Sequence, residues 1–293
     1  MTREKVTNIR PRRSALYMPS SNARALEKAK TLASDVIIFD LEDAVAPEAK
    51  NEARIQLAEA LTGGGYGNRE CVVRVNAIDT PWGADDLDMV RALKPDAVLI
   101  PKVSRPQDIE NIQSLCASDT QIWIMIETPE AIFNLSALAA CAATSNLTCF
   151  IMGTNDLLKD MQARALPARD NLQAALSLSV LAARQHGLMV LDGVFNDIED
   201  QEGLAAECRQ GLAFGFDGKT LIHPSQLSVA NEIFAPSADE VSQARAVMAA
   251  FDDPANAGKG VLRVNGRMTE LLHRDSAIQL IAVFEAIQRG EGS

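Results

Sequence analysis

The sequence predicts an α/β fold, specifically a (β/α)8 barrel with a C-terminal helical extension. Three observations support this class: short apolar runs recur along the chain, most precede a segment of helical periodicity, and charged residues cluster after the runs. The runs are continuous rather than alternating, as in parallel strands buried on both faces. A doubly wound sheet is the alternative, but no GxGxxG motif follows the first run. The eight runs are residues 15–18, 36–39, 71–75, 97–100, 122–126, 147–152, 188–191 and 212–216.

The segments between the runs have the 3.6-residue spacing of helices. Residues 47–61, 106–116 and 172–186 each place apolar side chains along one face. Gly187 follows the last of these segments and predicts its end, since glycine is the usual residue just past a helix. Strands and helices thus alternate as a barrel requires.

The pattern changes after Pro224, so we divide the chain into a barrel domain at 1–223 and an arm at 224–293. A helix with an N-terminal capping box is predicted over 237–251. A glycine-rich connector follows, and a final helix is predicted from Arg274 onward. We expect this arm to pack on the barrel or on a neighbouring subunit.

Charge and cysteine content restrict the partners and the compartment. The net charge of −11 argues against nucleic acid, because phosphate neutralisation needs a basic face. Residues 1–30 differ, with eight basic and two acidic side chains, which suits either a solvated segment or a small anion site. Apolar runs are shorter than the roughly 18 residues that span a membrane. The five cysteines are widely spaced without a CxxC pair, which favours a reducing cytoplasm.

Polar residues follow every run after the first, where the active site of such a barrel lies. Because the carboxyl ends of parallel barrel strands share one face, these side chains are expected to meet there. The turn at 217–219 is expected to set a charge near the same mouth. The polar residues are Asp40, Glu42, Asp43, Arg74, Asn76, Lys102, Glu127, Asn155, Asp156, Asp192, Asp217, Lys219 and His223.

Glu127 and Asp156 each end an apolar strand, in the runs IWIMIE and CFIMGTND. Two carboxylates at a barrel mouth can hold Mg²⁺, which takes one or two carboxylates and fills its other positions with water or substrate oxygens. Mn²⁺ accepts the same oxygen ligands. The alternative for either residue is a helix cap or a loop salt bridge.

Arg74 lies inside the apolar run VVRVN. A buried guanidinium needs a carboxylate or an anionic ligand, so Arg74 either binds substrate or forms a structural ion pair with Glu42, Asp43 or Glu127. His223 precedes a proline in a loop, where it either contacts a ligand or bonds to the loop itself.

Several motifs together resemble a known family. The set is similar to the HpcH/HpaI aldolase and citrate lyase superfamily, and within it to the citrate lyase beta-subunit-like CoA ester lyases, over residues 13–288. The motifs are RS at 13–14 with YMP at 17–19, FDLEDAV at 39–45, VRVN at 73–76, PK at 101–102, IET at 126–128, GTNDL at 153–157, FDGK at 216–219 and IHPSQ at 222–226.

The resemblance implies a (β/α)8 barrel with Mg²⁺ on Glu127 and Asp156 and an active-site Arg74. It also implies trimers or hexamers in which an arm covers a neighbour's site and supplies an Asp from a "GrmiD" motif. The matching run here is 266–270, GRMTE, so Glu270 stands where Asp is usual.

The predicted site therefore has three groups of residues. We group Asp40 and Glu42 with Arg74 and Glu270 as catalytic, and Glu127 and Asp156 as metal ligands. The RS…P…R region resembles a CoA-binding element, so Arg13 and Arg24 are expected near the barrel mouth. The predicted substrate and CoA contacts are Arg13, Arg24, Arg74, Asn76, Lys102 and His223.

The resemblance implies reversible carbon–carbon cleavage of malyl-CoA or citramalyl-CoA to acetyl-CoA and a 2-oxo acid, glyoxylate or pyruvate. Arg74 is expected to stabilise the developing enolate or keto-acid oxygen. The alternatives are a malyl-CoA thioesterase, a citrate lyase beta subunit acting on an acyl-carrier protein, and a non-catalytic barrel. The expected partners are thus an acyl-CoA thioester, a small 2-oxo acid and further copies of the chain as a homotrimer or homohexamer.

Overall fold

The computed structural model describes residues 10–291 and confirms the barrel. Eight parallel strands pair in sequence order and close with β1 against β8. The first seven lie where the apolar runs predict them. The strands are β1 Ser14–Pro19, β2 Val36–Asp40, β3 Glu70–Arg74, β4 Ala97–Ile100, β5 Gln121–Ile126, β6 Leu147–Met152, β7 Met189–Asp192 and β8 Gly218–Leu221.

Helices connect the strands and confirm the alternation. The three helices predicted at 47–61, 106–116 and 172–186 are present, and Gly187 ends the last of them in a left-handed conformation, with φ of 71°. The helices of the barrel unit are α1 Ala23–Ala29, α2 Lys50–Gly63, α3 Gly83–Leu93, α4 Pro106–Leu115, α5 Pro129–Phe133, α6 Leu135–Ala140, α7 Thr154–Asp160, α8 Gln173–His186, α9 Gln201–Phe214 and α10 Leu227–Ile233.

Alternating strand residues build two separate cores. In β2, Ile37 and Phe39 face the surrounding helices, whereas Val36 and Ile38 fill the inside of the barrel. Trp123 of β5 is the largest buried side chain of the interior cluster. This two-residue step determines which side chain of each strand reaches the barrel mouth.

The predicted eighth strand at 212–216 is wrong. Residues 212–214 complete α9, and β8 begins only at Gly218. The apolar pattern does not reveal β8, because its sequence GKTL contains a lysine. Lys219 is nevertheless fully buried, and it lies 2.6 Å from Glu207 and 3.5 Å from Asp192. Lys219 is therefore part of a buried ion network and not the expected charge in a turn at the mouth.

The rest of the chain forms a second compact unit from Ala235 onward. Its elements are α11 Ala238–Asp252, β9 Val261–Val264, β10 Arg267–Glu270 and α12 Leu271–Glu291, with β9 and β10 antiparallel. The predicted capping box at the start of α11 is confirmed. The hairpin of β9 and β10 is not predicted by the sequence pattern, and the last helix begins at Leu271, before the predicted start at Arg274.

The barrel unit runs from Arg12 to Phe234 and so includes α10, beyond the boundary drawn at residue 223. The packing of the arm on a neighbouring subunit stays a prediction. Among residues 10–291, no helix has the length and apolar character needed to cross a bilayer.

Gly218, the first residue of β8, packs against the backbone that precedes β1, where the barrel closes. A Cβ added there would lie 1.9 Å from the carbonyl oxygen of Arg12, which belongs to rigid backbone. We expect Gly218→Ala to lower the free energy of unfolding by about 3 kcal/mol or more, measured by urea denaturation. Gly63→Ala is the matched control, because nothing lies within 4 Å of its added Cβ. An equal effect of both substitutions would contradict this role of Gly218.

Candidate active site

A cavity of about 450 Å³ opens at the carboxyl ends of the barrel strands. Residues from β1, β2, β3, β5, β6 and β8 and from the segments that follow β2, β6, β7 and β8 line it. The lining residues are Tyr17, Pro19, Asp40, Asp43, Ala44, Arg74, Met125, Met152, Gly153, Thr154, Asn155, Asp156, Val194, Asn196, Thr220 and Ile222. Of the predicted catalytic, metal and substrate residues, Asp40, Arg74 and Asp156 line this cavity, whereas Glu42, Lys102 and Glu127 are not among its lining residues.

Arg74 is buried in this cavity and held by carboxylates. Its Nε and Nη2 donate to the two oxygens of Asp40, at 2.8 and 2.6 Å. Its Nη1 lies 2.8 Å from Glu42 Oε2. The guanidinium also stacks on the ring of Tyr17, 4.7 Å from its centroid. Asp40 and Glu42 therefore orient Arg74, and Asp40 is itself fixed by backbone N–H groups of Glu42 and Ala44.

The charges around Arg74 shift several ionisation equilibria. Burial disfavours the charged guanidinium, but the negative charge of Asp40 outweighs this and raises the pKa of Arg74 well above its usual value. Burial also raises the pKa of Glu42 to about 8, against the attraction of Arg74 and with the help of Asp43. Burial raises the pKa of the Tyr17 phenol as well. The Arg74 guanidinium thus stays cationic in this cavity.

Glu127 and Asp156 form an acidic pair beside this group. Glu127 is 2% exposed, and its Oε1 accepts the backbone N–H of Lys102 at 2.6 Å. Asp156 lies in the first turn of α7, and its Oδ1 is 3.4 Å from Lys102 Nζ. Burial raises the pKa of Glu127 to about 7, opposed by Lys102 and increased by the charge of Asp156. Lys102 therefore links the two carboxylates.

The close approach of Gly153 to Glu127 brings the two loops together. A Cβ on Gly153 would lie 2.6 Å from Glu127 Oε2 and 2.4 Å from Glu127 Cβ. Only glycine therefore leaves room for this carboxylate next to the start of α7. Glu127 and Asp156 therefore follow the carboxyl ends of two adjacent strands, β5 and β6.

The donor chemistry of this pair fits a hard divalent cation. Carboxylate oxygens are the ligands that Mg²⁺ prefers, and it commonly takes only one or two of them. Within residues 10–291, no cluster of three or more His, Cys, Asp and Glu side chains is placed to hold a metal. The ammonium of Lys102 already lies beside Asp156, so a positive charge is accommodated here.

Two other predicted contacts instead hold the loops. The side chain of Asn76 donates to the Leu41 carbonyl at 3.0 Å and to Asp86 at 2.6 Å, and it does not line the cavity. His223 accepts the backbone N–H of Ser225 and caps a short 3₁₀ turn. The alternative of a loop-bonding histidine therefore describes His223 as the structure has it.

The predicted location of Arg13 near the mouth is wrong. Arg13 directly precedes β1, so it lies at the amino end of the barrel, opposite the cavity. There its guanidinium forms a two-pronged ion pair with Asp35, at 2.9 and 2.8 Å. Arg24 differs, because it is exposed in the first turn of α1, which follows the carboxyl end of β1. Glu270 ends β10 in the second unit, and its predicted role stays a prediction.

The sequence prediction omitted Tyr17 as a site residue, and it omitted Asn196, the partner of the predicted Asn155 at the rim. Asn155 and Asn196 exchange side-chain hydrogen bonds of 3.1 and 2.8 Å, which tie the loop after β6 to the loop after β7. Tyr17 could have been found from alternation, because Ala15 two residues earlier faces the barrel interior. Asn196 has no comparable signal in the sequence.

A (β/α)8 barrel with charged side chains at the carboxyl ends of its strands is the architecture of a large class of enzymes. Residues 13–224 match the model of the HpcH/HpaI aldolase/citrate lyase family, and the chain belongs to that family. The resemblance inferred from the motifs is thereby confirmed.

Individual relatives and one solved structure are similar to this chain over nearly its whole length. The chain is 50% identical over 277 residues to a (3S)-malyl-CoA thioesterase of Cereibacter sphaeroides, covering 94% of this chain and 96% of that protein. It is 32% identical to an L-malyl-CoA/beta-methylmalyl-CoA lyase of the same species, covering 95% and 96%. The crystal structure of CitE from Mycobacterium tuberculosis with magnesium, acetoacetate and coenzyme A matches with a TM-score of 0.76 and 27% identity, covering 93% of this chain and 97% of that one.

The carboxylates around Arg74 generate a stability prediction. Arg74→Met leaves the buried Asp40 without its partner, so we expect a loss of about 3–5 kcal/mol in the free energy of unfolding. Arg91→Met removes an exposed arginine from its ion pair with Asp88 and should cost less than about 1 kcal/mol. Urea denaturation of both variants measures the difference. Similar losses of unfolding free energy in the two variants would contradict the claim that the buried pair of Arg74 with Asp40 stabilises the fold.

Proposed function

We propose that this protein is a Mg²⁺-dependent thioesterase that hydrolyses malyl-CoA or a closely similar 3-hydroxyacyl-CoA. The observation that carries this proposal is the 50% identity, over nearly the whole of both chains, to a protein named as a (3S)-malyl-CoA thioesterase. The cavity supports it, because Arg74 and the Glu127–Asp156 pair lie at one barrel mouth. Hydrolysis converts the thioester and water to a free hydroxy acid and the thiol of CoA.

This proposal reverses the order inferred from the motifs, which placed carbon–carbon cleavage first. The lyase relative is 32% identical, well below the thioesterase relative. A lyase must stabilise the negative oxygen of an enolate, and a thioesterase must stabilise the negative oxygen of a tetrahedral intermediate. One buried arginine can stabilise either oxygen. Cleavage to acetyl-CoA and glyoxylate therefore stays the second candidate, and the products decide between them.

Glu127 and Asp156 are the residues that would hold Mg²⁺ in the proposed site. When bound, Mg²⁺ supplies Lewis acidity that polarises substrate oxygens. The solved CitE structure from Mycobacterium tuberculosis contains magnesium together with coenzyme A, which supports a metal in this family. Mn²⁺ is expected to substitute for it.

Arg74 has the chemistry to bind the oxygen that becomes negative as the thioester carbonyl is attacked. The new bond forms between the carbonyl carbon and a water oxygen, and the carbon–sulfur bond breaks. The water proton needs an acceptor, and the sulfur of the leaving CoA needs a proton. We assign this transfer to Glu270, supplied by the arm of a neighbouring copy, as the family motif implies. Asp40 keeps Arg74 in place during these steps through its two-pronged hydrogen bonds.

The proposed partners are an acyl-CoA thioester and further copies of this chain. Arg24, exposed at the start of α1, is a candidate for contact with CoA phosphates. The homotrimer or homohexamer, the cytoplasmic location and the substrate roles of Asn76, Lys102 and His223 stay predictions.

The central prediction concerns Glu127→Gln. This change keeps the shape of the side chain but removes the negative charge, so we expect Mg²⁺-dependent turnover of malyl-CoA to fall by about 100-fold or more. Mass spectrometry of the products, with malyl-CoA and citramalyl-CoA as parallel substrates, separates hydrolysis from cleavage. Malate with free CoA indicates a thioesterase, whereas acetyl-CoA with glyoxylate indicates a lyase.

Glu130→Gln is the matched control, since Glu130 is an exposed glutamate three residues further on that pairs with Arg105. It should leave turnover unchanged. Wild-type protein that acts equally well in EDTA, or that acts on neither thioester, would overturn the proposal.

A further inference from the structure

Lys102 contacts both members of the acidic pair in two different ways. Its backbone N–H donates to Glu127 Oε1 at 2.6 Å, and its side-chain Nζ donates to Asp156 Oδ1 at 3.4 Å. The second contact positions a cation beside a carboxylate that we assign to a metal. Lys102 is therefore in a position to affect how the pair accepts Mg²⁺.

The backbone of Lys102 adopts a conformation that needs an explanation. Its φ of 55° lies in the left-handed region, which is costly for a residue with a side chain. It follows the end of β4 by two residues, and in this conformation its N–H is directed at the buried carboxylate. Strained residues of this kind persist where the surrounding contacts fix them. The hydrogen bond to Glu127 is the contact that does so here.

The side chain of Lys102 is more exposed to solvent than that of Asp156, the carboxylate it contacts. The Lys102 side chain is 48% exposed and that of Asp156 is 29% exposed. Burial opposes the charged ammonium, but the negative charges of Glu127 and Asp156 outweigh this and raise the pKa of Lys102. A flexible lysine side chain at a cavity rim can move away without unfolding its surroundings.

We propose that Lys102 is a positioning residue whose ammonium acts as an internal counter-ion for Glu127 and Asp156 and is displaced when a divalent cation binds. This inference rests on the metal site of the proposed function. The ammonium and the metal ion compete for the same negative charge, because two cations next to Asp156 repel each other. The backbone amide keeps Glu127 oriented in both states.

The test is a titration of the whole protein with Mn²⁺, in which electron paramagnetic resonance measures free Mn²⁺. Lys102→Met removes the charge but keeps the backbone amide and most of the side-chain length. We expect it to bind Mn²⁺ about fivefold more tightly than the wild type, the effect of removing one competing exposed ion pair. A structural loss would weaken binding instead, so the sign of the change identifies the counter-ion role.

Lys94→Met is the matched control. Lys94 also has a left-handed backbone, with φ of 49°, and lies 3.8 Å from an exposed Asp119, but it precedes β4 and so lies at the opposite end of that strand. It should leave Mn²⁺ affinity unchanged. Unchanged or weaker binding by Lys102→Met, with Glu127→Gln still losing Mn²⁺, overturns the counter-ion role alone. Absent Mn²⁺ binding by the wild type overturns the metal site of the proposed function and this inference together.

Discussion

The burial of Arg74 is the constraint around which the mouth of the barrel is arranged. A guanidinium removed from water is tolerated only when carboxylates and hydrogen bonds replace its hydration. Asp40 supplies two of those bonds, Glu42 a third contact, and Tyr17 covers a face of the guanidinium. The cation is therefore held in a fixed orientation before any substrate arrives. Such preorganisation allows a charge to stabilise a reacting oxygen without first rearranging.

Side-chain alternation explains why these groups meet, and it shows how far sequence reasoning reaches. Val36 and Ile38 fill the barrel interior, and the same two-residue step leads to Asp40. Val72 leads in the same way to Arg74, and Met125 leads to Glu127. Continuous apolar runs ending in a charged residue are visible in the sequence, so the places of Asp40, Arg74 and Glu127 at the carboxyl ends of their strands could be predicted before the geometry was known.

The predictions for β8 and Arg13 are wrong because both contain charged side chains that are buried by pairing with distant carboxylates. The strand GKTL contains a lysine and a glycine, and its Lys219 is neutralised by partners from β7 and α9 that are distant in sequence. No local pattern indicates such pairing. Arg13 was misplaced because a basic residue next to a strand can lie at either end of it. The partner that fixes Arg13, Asp35, becomes apparent only when β1 and β2 are aligned.

The acidic pair differs from the Arg74 group because its charges are not balanced by buried partners. Glu127 has one backbone donor and Asp156 one partly exposed ammonium, so two negative charges share little fixed compensation. The chain nevertheless accommodates a left-handed Lys102 and a side-chain-free Gly153 to hold Glu127 in place. By contrast, the ion pair of Arg12 with Glu70 in the same barrel is buried and held by two hydrogen bonds of 2.7 Å. This incomplete compensation, next to a left-handed backbone at Lys102, supports the proposal that Glu127 and Asp156 bind a cation from solution.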